Sequence, residues 1–261
     1  MNKYAFKIKF LGTCACDFSS KLNAEFKNSF DLDARRSSSM LINNTYLVDA
    51  GDHILDSLRI ANKNAEDITD LFITHTHSDH FNCENIASIA SEKSEPLHLY
   101  IREDAQIDDI ANVDIIRMTP YKKYCVGNGL TVTALCANHD PETAPSHFLF
   151  ERDGKSIFYG CDGAWLLCRT YNFLKGMELS LAVLDCTVGD YEGDWRMAEH
   201  NSIPMIRLML PSLKNAKIIN SETKICFSHI APSLHKSHKD TELIAKELGA
   251  YVAYDGLDME V

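Results

Sequence analysis

No run of apolar residues in this sequence is long enough to cross a bilayer. The opening MNKYAFKIKF alternates like a strand and has no unbroken apolar core of the kind a secretion signal carries. No CxxC pair occurs, and the nine cysteines are odd in number and scattered, so neither a zinc ribbon nor a disulfide framework is indicated. Several of them sit in apolar stretches, as reduced thiols do, and the cytoplasm is the expected compartment. Pro/Gly-rich linkers, repeats and low-complexity tracts are missing too, which predicts a single domain over residues 1–261. Basic charge is short: 26 Lys and Arg stand against 37 Asp and Glu, a formal net charge of -11. That balance disfavours non-specific binding to nucleic acid, a polyanion drawn to clustered cations. A small anionic substrate remains compatible, because a bound metal makes its own local positive field.

What is present suits a sizeable core, with 45% hydrophobic and 24% charged residues. Alternation predicts a first strand over 3–11, then a polar, irregular stretch to Ser39. Two short strands follow, Met40–Asn43 and Tyr46–Asp49, joined through the turn dipeptide Asn43-Asn44. Ile54, Leu55, Leu58 and Ala61 recur at helical spacing, and Leu71–Thr74 reads as a short buried strand. Beyond it, strand-like runs at 97–101, 130–136, 147–151, 156–160, 181–185, 224–228 and 251–254 alternate with helical stretches. The clearest helices are near Ile203–Leu213 and Lys239–Leu248. The interspersed pattern predicts an α/β protein, sheets inside and helices outside.

The strand LFIT runs straight into His75-Thr76-His77-Ser78-Asp79-His80. Four potential ligands in six residues, just past a strand end, point into one small volume. Imidazole and carboxylate together suit Zn, Fe or Mn. A polar loop of surface histidines is the plain alternative, disfavoured by this density beside a buried strand.

HTHSDH resembles the HxHxDH signature of the metallo-β-lactamase superfamily, and further pieces follow in order: His139 in ALCANHD, Asp162 in IFYGCDG, His229 in ICFSHI, with LVDAG around Asp49 upstream. The resemblance implies a four-layer αβ/βα sandwich with two mixed sheets and the site along one edge. It implies that His75, His77 and His139 hold one divalent metal ion, and that Asp79, His80 and His229 hold a second. Asp162 would bridge them together with a hydroxide. Two divalent ions about 3.5–4 Å apart need anionic oxygens between them, and this donor set leaves the centre with a net charge of about +1. A mildly cationic centre suits a phosphate ester. Asp49 would orient a histidine ligand without touching metal; a turn-capping aspartate is the competing reading.

LGT at Leu11–Thr13, RRSSSMLI at Arg35–Ile42, LDCT at Leu184–Thr187, AEHN at Ala198–Asn201 and the tail GLDMEV resemble the phosphodiesterase branch of that superfamily. The branch includes ribonuclease Z and the cyclic phosphodiesterase of phosphonate breakdown, and the likeness is closer to the second. It implies His200 as a general acid for the leaving alkoxide, with Asp185 orienting it or helping a ligand; a polar residue leading into a helix is the bland alternative. Asp79 and His200 are thus the candidate catalytic residues. The chain departs from the pattern at the structural zinc site of the phosphonate enzyme: only Cys14 and Cys16 stand in the early loop, and Pro232 lies three residues after His229. No such site is expected, and the two cysteines read as loop thiols. His235 and His238 read as solvated. Arg35 and Arg36 read as a solvated loop end, with a substrate phosphate the minority alternative. Residues 163–199 carry no long basic arm of the kind by which ribonuclease Z grips transfer RNA.

The expected activity is therefore cleavage of a small, cyclic or linear phosphodiester with two divalent ions (Zn, Mn or Fe). A thioester or lactone hydrolase and a ribonuclease Z-like nuclease are the enzymatic alternatives, and a metal-bound scaffold is the weakest. No membrane partner is expected, and a homodimer is left open.

Overall fold

A computed structural model describes residues 5–261. Lys3 and Tyr4, where alternation begins the first strand, lie outside the described residues. The strands are β1 (Lys7–Gly12), β2 (Ser39–Ile42), β3 (Tyr46–Val48), β4 (Asp70–Phe72), β5 (Leu97–Arg102), β6 (Val113–Met118) and β7 (Lys123–Gly127). They continue as β8 (Leu130–Cys136), β9 (Ser146–Arg152), β10 (Lys155–Gly160), β11 (Leu181–Asp185), β12 (Lys224–Ser228), β13 (Ala250–Val252) and β14 (Asp258–Glu260). The helices are α1 (Lys21–Ala24), α2 (Ile54–Ile60), α3 (Cys83–Ser91), α4 (Cys168–Leu174), α5 (Ile203–Asn215) and α6 (His238–Glu247). Two seven-stranded mixed sheets result, ordered β14-β1-β2-β3-β4-β5-β6 and β13-β12-β11-β10-β9-β8-β7.

Period-two alternation builds the layers. Met40, Ile42, Val48 and Phe72 of the first sheet meet Phe148, Phe150, Ile157, Tyr159 and Val183 of the second in one apolar core. Their neighbours point outward: Leu41, Leu47 and Leu71 pack with Ile54, Leu58, Ile86 and Ile89 of α2 and α3. Leu149, Phe158, Ala182 and Phe227 pack with Ile203, Ile206 and Leu210 of α5. Helix, sheet, sheet and helix thus stack in four layers. Because β4, β10 and β11 are covered on both faces, they read as continuous apolar runs.

β6 and β7 sit at sheet edges with half-exposed residues, which explains why they lack the apolar pattern of the other strands. Asn43 and Asn44 make the β2–β3 turn with φ of 54° and 62°, a left-handed conformation that asparagine tolerates. α5 carries the Ser202 cap, whose hydroxyl accepts the Met205 N–H, and a proline in its first turn. The cap fixes where α5 starts and so where His200 ends up. β3 and β4 run parallel, as do β10, β11, β12 and β13. Their C-terminal ends open on one edge of the sandwich, where crevices form in α/β sheets.

Candidate metal centre

Every candidate residue except His200 stands at or just past the C-terminal end of a strand. Asp49 follows β3, His75 to His80 follow β4, His139 follows β8, Asp162 follows β10, Asp185 ends β11 and His229 follows β12. The strands deliver these groups because their backbones are held by ladders that stop there, freeing the next residue to turn inward. Asp49 and His229 make that turn with φ of 60° and 57°, a conformation that non-glycine residues adopt only when the surroundings impose it. Gly51 is needed for a different reason. A Cβ there would lie 1.9 Å from the Asp79 carbonyl oxygen, so only glycine lets the β3 and β4 loops touch.

The structure brings the seven predicted ligands together in two groups that share one oxygen. His77 Nδ1 lies 3.0 Å from His75 Nε2 and 3.2 Å from His139 Nε2. His80 Nε2 lies 3.1 Å from His229 Nε2 and 3.3 Å from Asp79 Oδ2. Asp162 Oδ2 stands between the groups, 3.5 Å from His75 Nε2, 3.5 Å from His139 Nε2, 3.7 Å from His80 Nε2 and 3.3 Å from His229 Nε2. His77 is partly exposed and the other six are buried.

The chemistry of the donors shows what fits here. His80 Nδ1 meets Asp49 Oδ2 at 2.8 Å, and His229 Nδ1 meets Thr187 Oγ1 at 2.7 Å. With those hydrogens directed outward, neutral rings would turn lone pairs toward each other across 3.1 Å. A cation between the nitrogens would satisfy that arrangement. Adjacent ligands on a cation with bonds of about 2.0–2.2 Å lie roughly 3–3.6 Å apart, which is the spacing found. His/Asp clusters of this make-up could hold a metal ion: His75, His77, His139 and Asp162 form one, and Asp79, His80 and His229 another.

Asp49 takes part as an anchor rather than as a member of either group. It accepts the Thr74 N–H at 2.8 Å, the Thr74 hydroxyl at 2.9 Å and His80 Nδ1–H. Burial pushes its carboxyl up, and His80 and Thr74 oppose that shift; three converging donors mark it as ionised. Asp49 thus contacts both the Thr74 backbone and the His80 ring, the contact an orienting role requires.

His200 reaches the same volume from the short turn Trp195–Ala198, where its backbone N–H is held by the Arg196 carbonyl at 2.8 Å. Its Nδ1 is 2.7 Å from Asp162 Oδ1 and 3.3 Å from Asp185 Oδ2, and its side chain keeps 15% exposure. Burial works against a proton there, but the Asp162 carboxylate and then Asp185 outweigh it and hold the imidazole up at about 11. Asp185 is fully buried and also lies 3.3 Å from His229 Nδ1. Sequence reasoning missed several neighbours. Glu199 brings a carboxylate within 4.8 Å of His139 and His200. Asn201 donates its amide to the Gly163 carbonyl at 3.0 Å, and its N–H meets Asp185 Oδ1 at 2.8 Å. The AEHN stretch held both, but nothing local to them distinguished them from a helix-leading loop.

Four further residues differ from their sequence reading. Arg35 and Arg36 are buried, and neither is a solvated loop end nor part of the site. Arg35 donates to Thr13 Oγ1 at 2.6 Å and lies 2.8 Å from His238 Nδ1. The Arg36 guanidinium donates to the Phe26 carbonyl at 2.6 Å, and its backbone N–H meets Asp255 Oδ2 at 2.7 Å. His238 is buried, and His235 is part-buried with Nε2 2.7 Å from the Cys186 carbonyl. These partners are distant in sequence, so local polarity gave no sign of burial. Cys14 is buried and Cys16 exposed.

Comparison with known proteins adds three findings. Residues 6–107, which include Asp49 and the His75–His80 stretch, match the family model described as Anti-Pycsar protein Apyc1. No curated protein sequence matches the chain. Among solved structures, the metallo-beta-lactamase fold protein YhfI from Bacillus subtilis is similar with a TM-score of 0.75 at 16% identity, over 99% of this chain and 100% of that one. Zn(2+)-bound PqqB from Methylobacterium extorquens gives 0.70 at 16% identity, over 98% and 100%. A diphosphatase from the PhnP family gives 0.71 at 16%, over 98% of each chain. Two seven-stranded sheets between helices, with a buried His/Asp cluster at the strand ends, give this chain the metallo-β-lactamase fold.

Proposed function

We propose that the protein is a metal-dependent hydrolase that uses two divalent cations to cleave a small phosphodiester, cyclic forms included. The observation that carries the reading is Asp162, whose one oxygen lies 3.3–3.7 Å from imidazole nitrogens of both donor groups, while its other oxygen lies 2.7 Å from His200. His75, His77 and His139 would hold one ion, Asp79, His80 and His229 the other, with Asp162 between. When bound, the ions supply an activated water and a positive field for charge developing on phosphorus.

The side chains divide the remaining work. Asp49 keeps His80 with the Nε2 lone pair inward, and Asp185 lies 3.3 Å from Nδ1 of both His200 and His229. His200, part-exposed beside Asp162, is placed to give a proton to the departing oxygen. The matched family model and the PhnP-family diphosphatase support phosphorus chemistry as the reading of this site, and Zn-bound PqqB supports zinc as one usable ion. A folded RNA substrate fits less well with a formal charge of -11. No helix among the described residues is long and apolar enough to cross a membrane.

Turnover of bis(p-nitrophenyl) phosphate by protein loaded in turn with Zn, Mn and Fe tests the activity. At least one ion should give saturable hydrolysis that a chelator abolishes. A metal-replete protein that cleaves only thioesters or lactones would replace phosphorus by carbonyl chemistry.

A further inference from the structure

His200 and His229 lie side by side, with ring centroids 5.6 Å apart and planes 18° from parallel. Both turn Nδ1 toward the same two oxygens. Thr187 Oγ1 is 2.7 Å from His229 Nδ1 and 3.2 Å from His200 Nδ1. Asp185 Oδ2 is 3.3 Å from each. Thr187 is buried two residues past the end of β11, and its hydroxyl also contacts Asp185 Oδ2 at 2.9 Å and the His229 carbonyl at 3.0 Å.

The hydrogen inventory of that hydroxyl sets a direction. Asp185 already accepts the Asn201 N–H at 2.8 Å and the Thr187 N–H at 3.2 Å, as an ionised carboxylate does. The single Thr187 hydrogen therefore goes to Asp185 Oδ2 or to the His229 carbonyl, both acceptors only. Its lone pairs are left for the imidazoles, so His229 carries its hydrogen on Nδ1 and keeps Nε2 free. The other sheet repeats the device: Thr74 Oγ1 bonds Asp49 at 2.9 Å and lies 3.0 Å from His75 Nδ1. Only the Thr187 clamp, however, serves a metal-group histidine and His200 together.

We propose that Thr187 is a positioning residue that sets two histidines at once, aiming His229 Nε2 at the second cation position and holding His200 beside Asp162. Filling that position and placing the proton donor then become linked. The inference rests on the two-ion reading above, and its test separates the two.

Zinc binding is measured by chelator competition on wild type, T187S and T187V, alongside ring-nitrogen NMR of zinc-loaded wild type and kinetics on a dialkyl phosphodiester. T187V should bind the second equivalent about ten- to hundredfold more weakly, with the first unchanged, and kcat should fall with little change in KM at saturating zinc. T187S, which keeps the hydroxyl, should restore both. His229 in wild type should show hydrogen on Nδ1 and zinc on Nε2, a readout that survives even if T187V fails to fold. Equal binding of both equivalents by T187V, or hydrogen on His229 Nε2, would overturn the proposal alone. Wild type that binds fewer than two ions would overturn the two-ion reading and this inference with it.

Discussion

Replacing Asp162 with asparagine is expected to cost the enzyme its second ion and its turnover together. The amide keeps the volume of the carboxylate but removes its charge, and it turns an N–H donor toward nitrogens whose lone pairs face inward. Asp162 Oδ2 lies 3.3–3.7 Å from four imidazoles drawn from both groups, so its charge sits between the two positions. The carboxyl resists protonation: burial pushes it up, yet His229, His200 and His139 hold it well below the usual range. Two cations a few ångströms apart repel unless an anion lies between them. D162N protein, dialysed and analysed for metal, should hold one ion rather than two. Its kcat should fall on the order of 10³-fold, the equivalent of about 4 kcal/mol of lost transition-state stabilisation. A variant that keeps two ions and activity within tenfold would remove Asp162 from the centre of the mechanism.

His200→Ala should produce the second largest effect, visible only with the right leaving group. A dialkyl phosphodiester expels a strongly basic alkoxide that needs a proton as it departs, whereas p-nitrophenolate leaves without one. General acids of this kind contribute about 10²–10⁴-fold. His200 is suited to the task because Asp162 and Asp185 hold its proton against burial and because its side chain stays 15% exposed. H200A should therefore lose about 10²-fold or more in kcat on an alkyl ester, and far less on the p-nitrophenyl ester. Equal loss on both substrates would reassign His200 to structure, and no loss on either would leave it a loop residue before α5.

Much of this was legible in the chain because local rules decide it. HTHSDH compresses four candidate ligands into one strand exit, and His139, Asp162 and His229 each follow an apolar run whose end can be read off the alternation. The four-layer sandwich follows from the same runs, whose residues alternate between the inter-sheet core and the helix-facing cores. The edge strands β6 and β7 escaped because half-exposed strands lose the apolar pattern. Arg35, Arg36, His235 and His238 were misread for a different reason. Their polar partners, such as Thr13, Asp255 and Cys186, lie up to 219 residues away along the chain, and no local window sees them. Thr187 was invisible because a threonine after a strand is ordinary until two imidazoles are seen to share its hydroxyl.

Counting and locating the bound ions tests the central claim most directly. Elemental analysis of metal-loaded protein, with anomalous diffraction at the absorption edge, should find two ions per chain about 3.5–4 Å apart. Asp162 should lie between them, with His77 bound through Nδ1 and the other histidines through Nε2. A single ion, or two ions that do not share Asp162, would contradict the account.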